Sequence, residues 1–424
     1  MSADFIHQGH INIINYGAKF GKVVIGLLTD EAIESYKRRP IQNFDQRLSV
    51  ISSIKNVEKV VAQTTLDYRA NLEQLKPRYV VHGDDWKSGI QSETRSQVIE
   101  TLSKWHGELL EVSYTEGVSS TQIIEDLKRL KSAPDIRLKS LTGLLEVKDF
   151  LRFVDVHSGI SGLIIENTKV VIDNREIEFD GMWSSSLVDS TSRGMPDNES
   201  VDLTSRIQSL LEILNVTTKP IIFDGDTGGH IEHFGSNVNR LERLGVSAVI
   251  IEDKIGLKRN SLYGTEVEQH LDDPKSFGEK IKFGIKSRIN SEFMIIARIE
   301  SLIAGLGVQD ALARAKVYVK SGASGIMIHS RSKDPEEVYA FMSEFKKFSS
   351  NVPIIVVPTT YNSVHEKELF ENGAKVIIHA NHLLRASYPA MKRTAENLLK
   401  YGRSKEIDSE LMTIKEILNF VPER

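Results

Sequence analysis

In the stretch VIIEDKIGLKRNSLYG, residues 249–264, an apolar run leads directly into a cluster of charged side chains. The run 249–251 is typical of a strand buried on both faces, because its aliphatic residues do not alternate with polar ones. Carboxylates end the run, and basic and amide side chains follow: Glu252, Asp253, Lys254, Lys258, Arg259 and Asn260. Such a pattern fits either solvated surface charge or an active site at the end of a core strand.

The same pattern recurs along the second part of the chain. Eight apolar segments, each followed by a turn or a helical segment, are expected as strands: 151–156, 179–185, 220–226, 247–253, 293–300, 324–330, 353–359 and 374–380. Eight such units favour a closed (β/α)8 barrel over an open doubly wound sheet, and barrel enzymes carry their active sites where the carboxyl ends of the strands converge. Polar residues at four of these ends should therefore meet at one mouth: Asp224, Asp226, Glu252, Asp253, Arg298, Glu300, His329 and Ser330.

The residue types at this mouth suit a metal ion and an anionic substrate. Asp224, Asp226 and Glu252 supply hard oxygen ligands, which suit Mg²⁺ because this ion keeps part of its water shell. Arg298 and His329 are donors fit for phosphoryl or carboxylate oxygens. A loop that closes over these groups would exclude water from a reactive intermediate.

The first part of the chain predicts a separate, smaller domain. Residues 1–130 alternate short apolar strands, expected at 22–29, 57–63 and 78–85, with amphipathic helices, one of them at about 45–54. This alternation indicates a small parallel α/β unit. Residues 131–142, which are polar and contain Pro134, are predicted as the linker to a barrel that spans 143–424.

Composition excludes several classes of protein. With 40% hydrophobic and 26% charged residues and a net charge of −4, the chain is typical of soluble proteins and shows no sign of nucleic-acid or membrane binding. The absence of cysteine excludes thiolate nucleophiles and cysteine metal sites. Neither a signal peptide nor an apolar run long enough to cross a bilayer is found. We therefore expect a cytoplasmic enzyme or binding protein.

Seven sequence blocks resemble one family. The segment EDKIGLKRNS, residues 252–261, resembles the EDK-x(3)-K-x-NS lid of phosphoenolpyruvate mutases, in the isocitrate lyase superfamily. Six further blocks resemble that family in the same order: DGMWSSSL, DGDTG, ARIES, MIHSRSKDP, VPTTY and ANHLLRAS. The resemblance begins near Leu144 and implies a Mg²⁺-dependent interconversion of phosphoenolpyruvate and phosphonopyruvate. We also expect a homo-oligomer, a dimer or a tetramer.

This resemblance implies a role for each matching residue. Asp224 would be the principal Mg²⁺ ligand, with Asp226 and Glu252 acting directly or through water. The substrate would be held by Trp183, Ser184, Ser185, Ser186, Leu187 and Ser261. Arg298, His329 and Asn260 would hold the transferring phosphoryl group, and Lys258 would belong to the lid. Asp197 falls where the family has an aspartate, and these five residues are predicted to be catalytic.

The chain departs from this family in two places. Trp-Ser-Ser-Ser-Leu, residues 183–187, stands where the family has Trp-Gly-Ser-Gly-Leu. Because serine resists positive φ, the substrate loop is expected to sit differently. Residues 168–179 are expected to be an insertion before the second barrel strand.

The first domain resembles another family. HQGH, residues 7–10, resembles the HxGH signature of nucleotidyltransferases, and three later blocks follow in cytidylyltransferase order: KRRPIQNFDQR, GDDW and TEGVSSTQIIEDL. The resemblance implies a Rossmann-like domain with CTP as a possible co-substrate. Its nucleotide-binding residues would be His7, His10, Lys37, Arg47, Ser119, Ser120 and Thr121.

Two departures bear on that domain. Tyr114 stands where the family has an arginine, and only six residues precede His7, where the family has a strand that lies in the middle of its sheet. Loss of a middle strand would leave its neighbours unpaired. Either the recorded start is too late or the domain is vestigial.

Three functions remain open. The first is a mutase with a cytidylyltransferase-like domain, and the second is a phosphonopyruvate hydrolase or a carbon–carbon lyase on the same barrel. The third is a non-catalytic metabolite-binding or scaffolding protein, which the intact charged mouth disfavours. The related hydrolases tend to carry threonine at the position of Asn260, so the lid favours the mutase. The expected partners are small molecules, phosphoenolpyruvate and phosphonopyruvate, without nucleic acid or membrane.

Overall fold

The protein divides into two compact units, residues 1–129 and 130–424. The structure, a computed structural model, describes residues 1–34, 40, 42–87, 92–113, 131–172, 175–256 and 258–421. Each unit has its own buried apolar cluster, and the barrel described below belongs entirely to the second.

The first unit is a small α/β domain. Its elements are α1 (Gln8–Gly17), β1 (Val23–Leu28), α2 (Asp30–Glu34), α3 (Phe44–Ser52), β2 (Val57–Gln63), α4 (Arg69–Leu75), β3 (Tyr79–Gly83), α5 (Ser92–Ser103) and β4 (Glu108–Val112). The three expected strands and the expected helix are all present.

The sheet of this unit is in two parts. β1 pairs with β2 and β3 pairs with β4, both in parallel, and within the described residues no ladder joins β1 to β3. The main chain of Met1 lies along β1: its amino group donates to the Gly26 carbonyl at 2.6 Å, and Leu28 N–H donates to the Met1 carbonyl at 3.0 Å. The parallel α/β prediction is confirmed, and the absence of a first strand stays a prediction.

The second unit contains the barrel. Its elements are α6 (Pro134–Val147), β5 (Leu151–Asp155), α7 (Gly159–Asn167), β6 (Lys169–Ile172), β7 (Arg175–Glu178), β8 (Gly181–Ser184), α8 (Ser186–Ser192), α9 (Leu203–Leu214), β9 (Ile221–Asp224), α10 (Ile231–Arg243), β10 (Ala248–Glu252), α11 (Pro274–Ser287), β11 (Met294–Ile299), α12 (Gly307–Lys320), β12 (Gly325–Ile328), α13 (Glu336–Phe348), β13 (Ile354–Val356), α14 (Glu366–Asn372), β14 (Val376–His379), α15 (His382–Tyr401) and α16 (Ile414–Phe420).

Eight parallel strands close into a barrel in the order β5, β8, β9, β10, β11, β12, β13, β14. All eight lie within the segments expected from the sequence, so the (β/α)8 prediction is confirmed. Side chains such as Phe153, Ile250 and Ile296 fill the barrel interior, while a larger apolar layer joins the strands to the surrounding helices. Gly181 is required at its position, because a Cβ there would lie 2.2 Å from the Phe153 ring.

The predicted linker is mostly helical. Residues 131–142 include the first nine residues of α6. Pro134 does not interrupt this helix, because it lies in the first turn, where a proline is tolerated. Leu138 and Leu141 are each only 1% exposed and belong to the two core layers of the barrel. The segment therefore closes one end of the barrel core, and its polar residues form the outer face of a helix.

Two segments of the second unit expose apolar side chains. The expected insertion is an antiparallel hairpin, β6–β7, whose first strand is exposed along its whole length. None of the 20 residues of α15 is buried, and α16 exposes Ile414, Ile417 and Leu418. The homo-oligomer stays a prediction, in which a second chain could cover these side chains. No helix in the described part of the chain is long and apolar enough to cross a membrane.

The packing of α6 can be tested by truncating one side chain. We expect Leu141→Ala to lower the free energy of unfolding by about 2–4 kcal/mol, because it leaves a cavity in a closed core. Urea unfolding followed by circular dichroism measures the change. Ile136→Ala, on the same helix but at a position 43% exposed, is the matched control and should cost much less. Equal, small effects of the two changes would show that residues 131–142 act only as a linker.

Candidate active site

The predicted site residues meet at one end of the barrel. They line a cavity of about 40 Å³, room for only a few water molecules. Of the residues predicted in the barrel, those that line it are Trp183, Ser185, Ser186, Leu187, Asp197, Asp224, Glu252, Lys258, Asn260, Ser261, Arg298 and His329. Ser184 and Asp226 lie next to the cavity without lining it.

The strand register places the charged groups side by side. Asp224 is the last residue of β9 and Glu252 the last of β10, and Glu252 pairs with Arg298 of β11. His329 follows the last residue of β12. Since all the strands run in parallel, these ends share one rim, as expected for a barrel active site.

Asp224 is held by the turn that follows β8. Its Oδ2 accepts from the backbone N–H of Ser186 at 3.3 Å and from the Ser186 hydroxyl at 3.2 Å, while its Oδ1 accepts from Asp226 N–H at 3.1 Å. Ser186 begins α8, and residues 184–186 do not have positive φ. Serine at these positions therefore requires no positive φ, and the expectation that the substrate loop sits differently from the family's stays a prediction.

A lysine of the lid reaches into the carboxylate cluster. Lys258 Nζ donates to the Ser186 hydroxyl at 2.7 Å, to Asp197 Oδ1 at 2.8 Å and to Asp226 Oδ1. Burial alone would lower the pKa of Lys258, but the negative charges of Asp226 and Glu252 outweigh it, so the pKa is raised. The lid lysine is therefore a fixed cation that compensates buried negative charge.

Asp226 is held from behind by an arginine that sequence reasoning missed. Arg206 of α9, 3% exposed, donates to Asp226 Oδ2 at 2.9 Å and to the Asp224 carbonyl at 2.6 Å. Burial would raise the pKa of Asp226, but Lys258 and then Arg206 outweigh it, so the pKa is lowered. The sequence signal that could have identified Arg206 as buried is its position beside Ile207 on the apolar face of an amphipathic helix.

A second charge network adjoins the first, since Arg298 Nη2 lies 3.4 Å from Glu252 Oε2. Arg298 Nε donates to Glu300 Oε1 at 2.5 Å, and Ser261, from the lid, donates to Glu300 Oε2 at 2.6 Å. The Arg298 guanidinium lies 3.0 Å from His329 Nδ1. Burial and the charge of Arg298 lower the pKa of His329, and the charge of Glu300 opposes this shift. His329 Nδ1 also lies 3.2 Å from Glu300 Oε1, so this nitrogen faces both a donor and an acceptor.

The lid is closed by one shared aspartate. Asn260 Nδ2 donates to Asp197 Oδ2 at 2.6 Å, and Lys258 binds the other oxygen of the same carboxylate. The Asn260 side chain also caps the 3₁₀ turn 261–266, since its Oδ1 accepts from Leu262 N–H at 2.9 Å. Asp197 therefore joins two lid side chains above the cavity.

The oxygen ligands fit a hydrated cation better than a fully protein-bound one. In the part of the chain that the structure describes, no three Asp, Glu or His side chains are arranged to bind a metal directly. Both oxygens of Asp226 are engaged by Lys258 and Arg206. Glu252 Oε1 is buried and has no hydrogen-bond partner among the described residues, and burial raises the pKa of Glu252 to about 7. Asp224 and Glu252 are therefore suited to Mg²⁺, which usually binds one or two carboxylates and several waters.

Another buried carboxylate was also missed. Asp155, the last residue of β5, is 2% exposed, and its Oδ2 accepts from Asn381 N–H at 3.2 Å. Burial raises the pKa of Asp155 well above its usual range, and the nearby charge of Asp224 adds to this effect. The signal was the same as for Glu252, an apolar strand that ends in a carboxylate, here in LRFVDV.

In the first unit, only part of the predicted nucleotide site is described. Lys37, Ser119, Ser120 and Thr121, together with Tyr114, lie outside the described residues. The rings of His7 and His10 lie 3.9 Å apart at the start of α1, and burial lowers the pKa of His7.

Arg47 does not occupy a ligand-binding position. It is fully buried and donates to the carbonyls of Ser2, Leu28 and Gln42 and to Asp30. These bonds fix the N-terminal residues against the end of β1. The prediction that Arg47 binds nucleotide is therefore corrected, because its guanidinium hydrogen-bonds to other residues of the domain and stabilises the fold.

Comparison with known proteins places both units. The phosphoenolpyruvate phosphomutase family profile matches residues 141–399, and the cytidylyltransferase-like profile matches residues 2–126. The chain is 34% identical to a phosphoenolpyruvate phosphomutase of Tetrahymena pyriformis, over 65% of this chain and 88% of the relative. It is also 34% identical to a phosphonopyruvate hydrolase of Variovorax sp. (strain Pal2), over 57% and 82% respectively. A phosphonopyruvate hydrolase crystallised with oxalate and Mg²⁺ superposes with a TM-score of 0.58 at 28% identity, over 68% of this chain and 94% of that one.

The anchoring role of Arg206 can be tested through stability. We expect Arg206→Met to lower the free energy of unfolding by about 3 kcal/mol, because the buried Asp226 loses one of its two cations. Chemical denaturation measures the loss. Arg240→Met, at an exposed position in α10, is the matched control and should change stability little. If the two variants were equally stable, Arg206 would not hold the carboxylate cluster.

Proposed function

Because the chain belongs to the phosphoenolpyruvate phosphomutase family, we propose that its barrel interconverts phosphoenolpyruvate and phosphonopyruvate. The observation that carries the proposal is the lid: Asn260 and Lys258 both bind Asp197 and close the cavity between the two charge networks. In this reaction the phosphoryl group leaves the enol oxygen and bonds to the methylene carbon of the same molecule. No proton is gained or lost overall, so catalysis depends on positioning and electrostatics.

The two charge networks would divide the substrate's charge between them. Asp224 and Glu252 would hold Mg²⁺, which would stabilise negative charge on the pyruvate enolate. In the second network, Arg298 and His329 would donate to the phosphoryl oxygens as the bond to oxygen loosens. Glu300 positions Arg298 through the 2.5 Å hydrogen bond, so the guanidinium needs little reorganisation during the reaction.

The lid decides between rearrangement and hydrolysis. Opening of the lid would admit the substrate, and closure would then remove bulk water from the phosphoryl group. Asn260 lies beside the cavity with an amide that can donate to a phosphoryl oxygen. Phosphonopyruvate hydrolase is the second candidate, since a hydrolase is as similar to this chain as the mutase is.

For the first unit, we propose a cytidylyltransferase-like domain with little or no catalytic activity. Its profile match supports the fold, while the divided sheet and the buried Arg47 argue against an efficient nucleotide site. His7 and His10 remain the described residues best placed to contact phosphates. CTP is the co-substrate to test.

The ratio of phosphoenolpyruvate to inorganic phosphate among the products distinguishes a mutase from a hydrolase. Phosphorus NMR of the protein with Mg²⁺ and phosphonopyruvate should show phosphoenolpyruvate as the main product, with little inorganic phosphate. Asn260→Ala should slow the rearrangement and raise the phosphate share, because the amide donor is lost and water enters. Asn351→Ala, at an exposed loop position, is the control. Phosphate and pyruvate as the main products of the unaltered protein would identify the barrel as a hydrolase.

The metal assignment predicts the effect of one carboxylate. Asp224→Ala should abolish turnover while leaving the circular dichroism spectrum unchanged, because Asp224 lies at a strand end outside the barrel core. Asp149, an exposed residue before β5, provides the control variant Asp149→Ala. This variant should be active with Mg²⁺ present and should lose its activity when excess chelator is added. Near-normal activity of Asp224→Ala in chelator would show that the carboxylate binds no essential metal.

The proposed low catalytic activity of the first unit can be tested directly. With CTP and 2-aminoethylphosphonate, we expect the protein to release pyrophosphate slowly or not at all, because the sheet is divided and Tyr114 replaces an arginine. A coupled pyrophosphate assay measures the rate. Rapid release would overturn this prediction and would show that the divided sheet still supports a working nucleotide site.

A further inference from the structure

The hydroxyl of Ser186 lies where the lid meets the carboxylate cluster. It is 2.7 Å from Lys258 Nζ, which belongs to the lid, and 3.2 Å from Asp224 Oδ2, which belongs to β9. Ser186 is 4% exposed, so no bulk water competes for these contacts. The phosphomutase motif that this segment resembles has glycine here, and a glycine offers no hydroxyl.

The chemistry of the three groups gives the hydrogen bonds a direction. The Lys258 ammonium can only donate, so the serine oxygen accepts from it. The serine's one proton is then available to the Asp224 carboxylate, which can only accept while it is ionised. The result is a chain from Lys258 through Ser186 to Asp224, with a charged group at each end, and such charge-assisted bonds are stronger than neutral ones.

Two other residues also bind Lys258, and one of them, Asp226, is a second link between the lid and the barrel mouth. Asp197 is shared with Asn260, so it joins two parts of the lid, and Asp226 is already paired with Arg206. Ser186, by contrast, is the first residue of a helix that follows barrel strand β8, and its backbone N–H also donates to Asp224. Its hydroxyl therefore ties the lid to a rigid part of the barrel.

We propose that Ser186 is a latch, a positioning residue that holds the lid closed by linking Lys258 to Asp224. The proposal deepens the proposed function and rests on the same active site, but it does not depend on whether the products are those of a mutase or a hydrolase. Its consequence is that lid closure and the position of Asp224 are coupled through one hydroxyl group.

Trypsin cleavage after Arg259 measures the lid alone. Arg259 is exposed in the lid, but its carbonyl accepts from Lys254 Nζ at 3.1 Å, so cleavage there requires the lid to open. We expect Ser186→Ala to raise the cleavage rate at this bond about tenfold, since one charge-assisted hydrogen bond is lost. Ser192→Ala is the matched control: it removes a hydroxyl that is exposed in the same helix and donates to the Asp189 carbonyl, and it should leave the rate within about twofold.

A double-mutant cycle separates a latch from general loosening. Lys258→Met leaves the Arg259 bond available to trypsin and should itself raise the cleavage rate. In that background, Ser186→Ala should add less than about twofold, because the partner of its hydroxyl is gone. Melting temperatures of all four proteins identify any variant that has simply lost its fold, and cleavage outside the lid should stay unchanged.

The outcomes are distinct from those of the product assay. A cleavage rate in Ser186→Ala equal to that of the unaltered protein would overturn the latch, whatever products the enzyme makes. An equal increase with and without Lys258 would also overturn it, because the effect would then not pass through the lysine. If the predicted cleavage pattern were found together with phosphate as the main product, the latch would stand and the mutase proposal would fail.

Discussion

The structure of the barrel mouth depends on one constraint: buried carboxylates need cations close by. Asp224, Asp226 and Glu252 are all nearly inaccessible to water, and an uncompensated buried charge is expensive. Arg206 supplies a cation from behind the cluster and Lys258 supplies another from the lid. Because part of the compensation comes from the lid, closing the lid and completing the electrostatics of the site are one event.

Sequence reasoning succeeded where a local pattern carries the information. Apolar segments, each followed by a turn or a helical segment, marked all eight barrel strands, and parallel register then required their polar ends, including Glu252 and Arg298, to meet at one rim. It failed where the decisive partner is distant in sequence. Arg206 lies 20 residues from Asp226, and nothing in the helix that contains it shows that this side chain turns toward the carboxylates.

The errors have physical causes of the same kind. A polar stretch with Pro134 was predicted as a linker, because the tertiary contacts of Leu138 and Leu141 that make it a core helix are not visible locally. Arg47 was expected to bind a nucleotide because its block resembles one in the cytidylyltransferase family, yet its guanidinium donates to the backbone carbonyls of Ser2 and Leu28. Both cases show that residue type predicts chemistry only after the side chain's partners are known.

The central claim is that the closed lid keeps water away from the phosphoryl group during its transfer. Turnover of phosphonopyruvate in H₂¹⁸O, followed by mass spectrometry of the products, tests this directly. The account predicts that phosphoenolpyruvate forms without ¹⁸O and that labelled phosphate is a minor product. Inorganic phosphate that carries one solvent oxygen in most turnovers would contradict it, because water would then be the acceptor of the phosphoryl group.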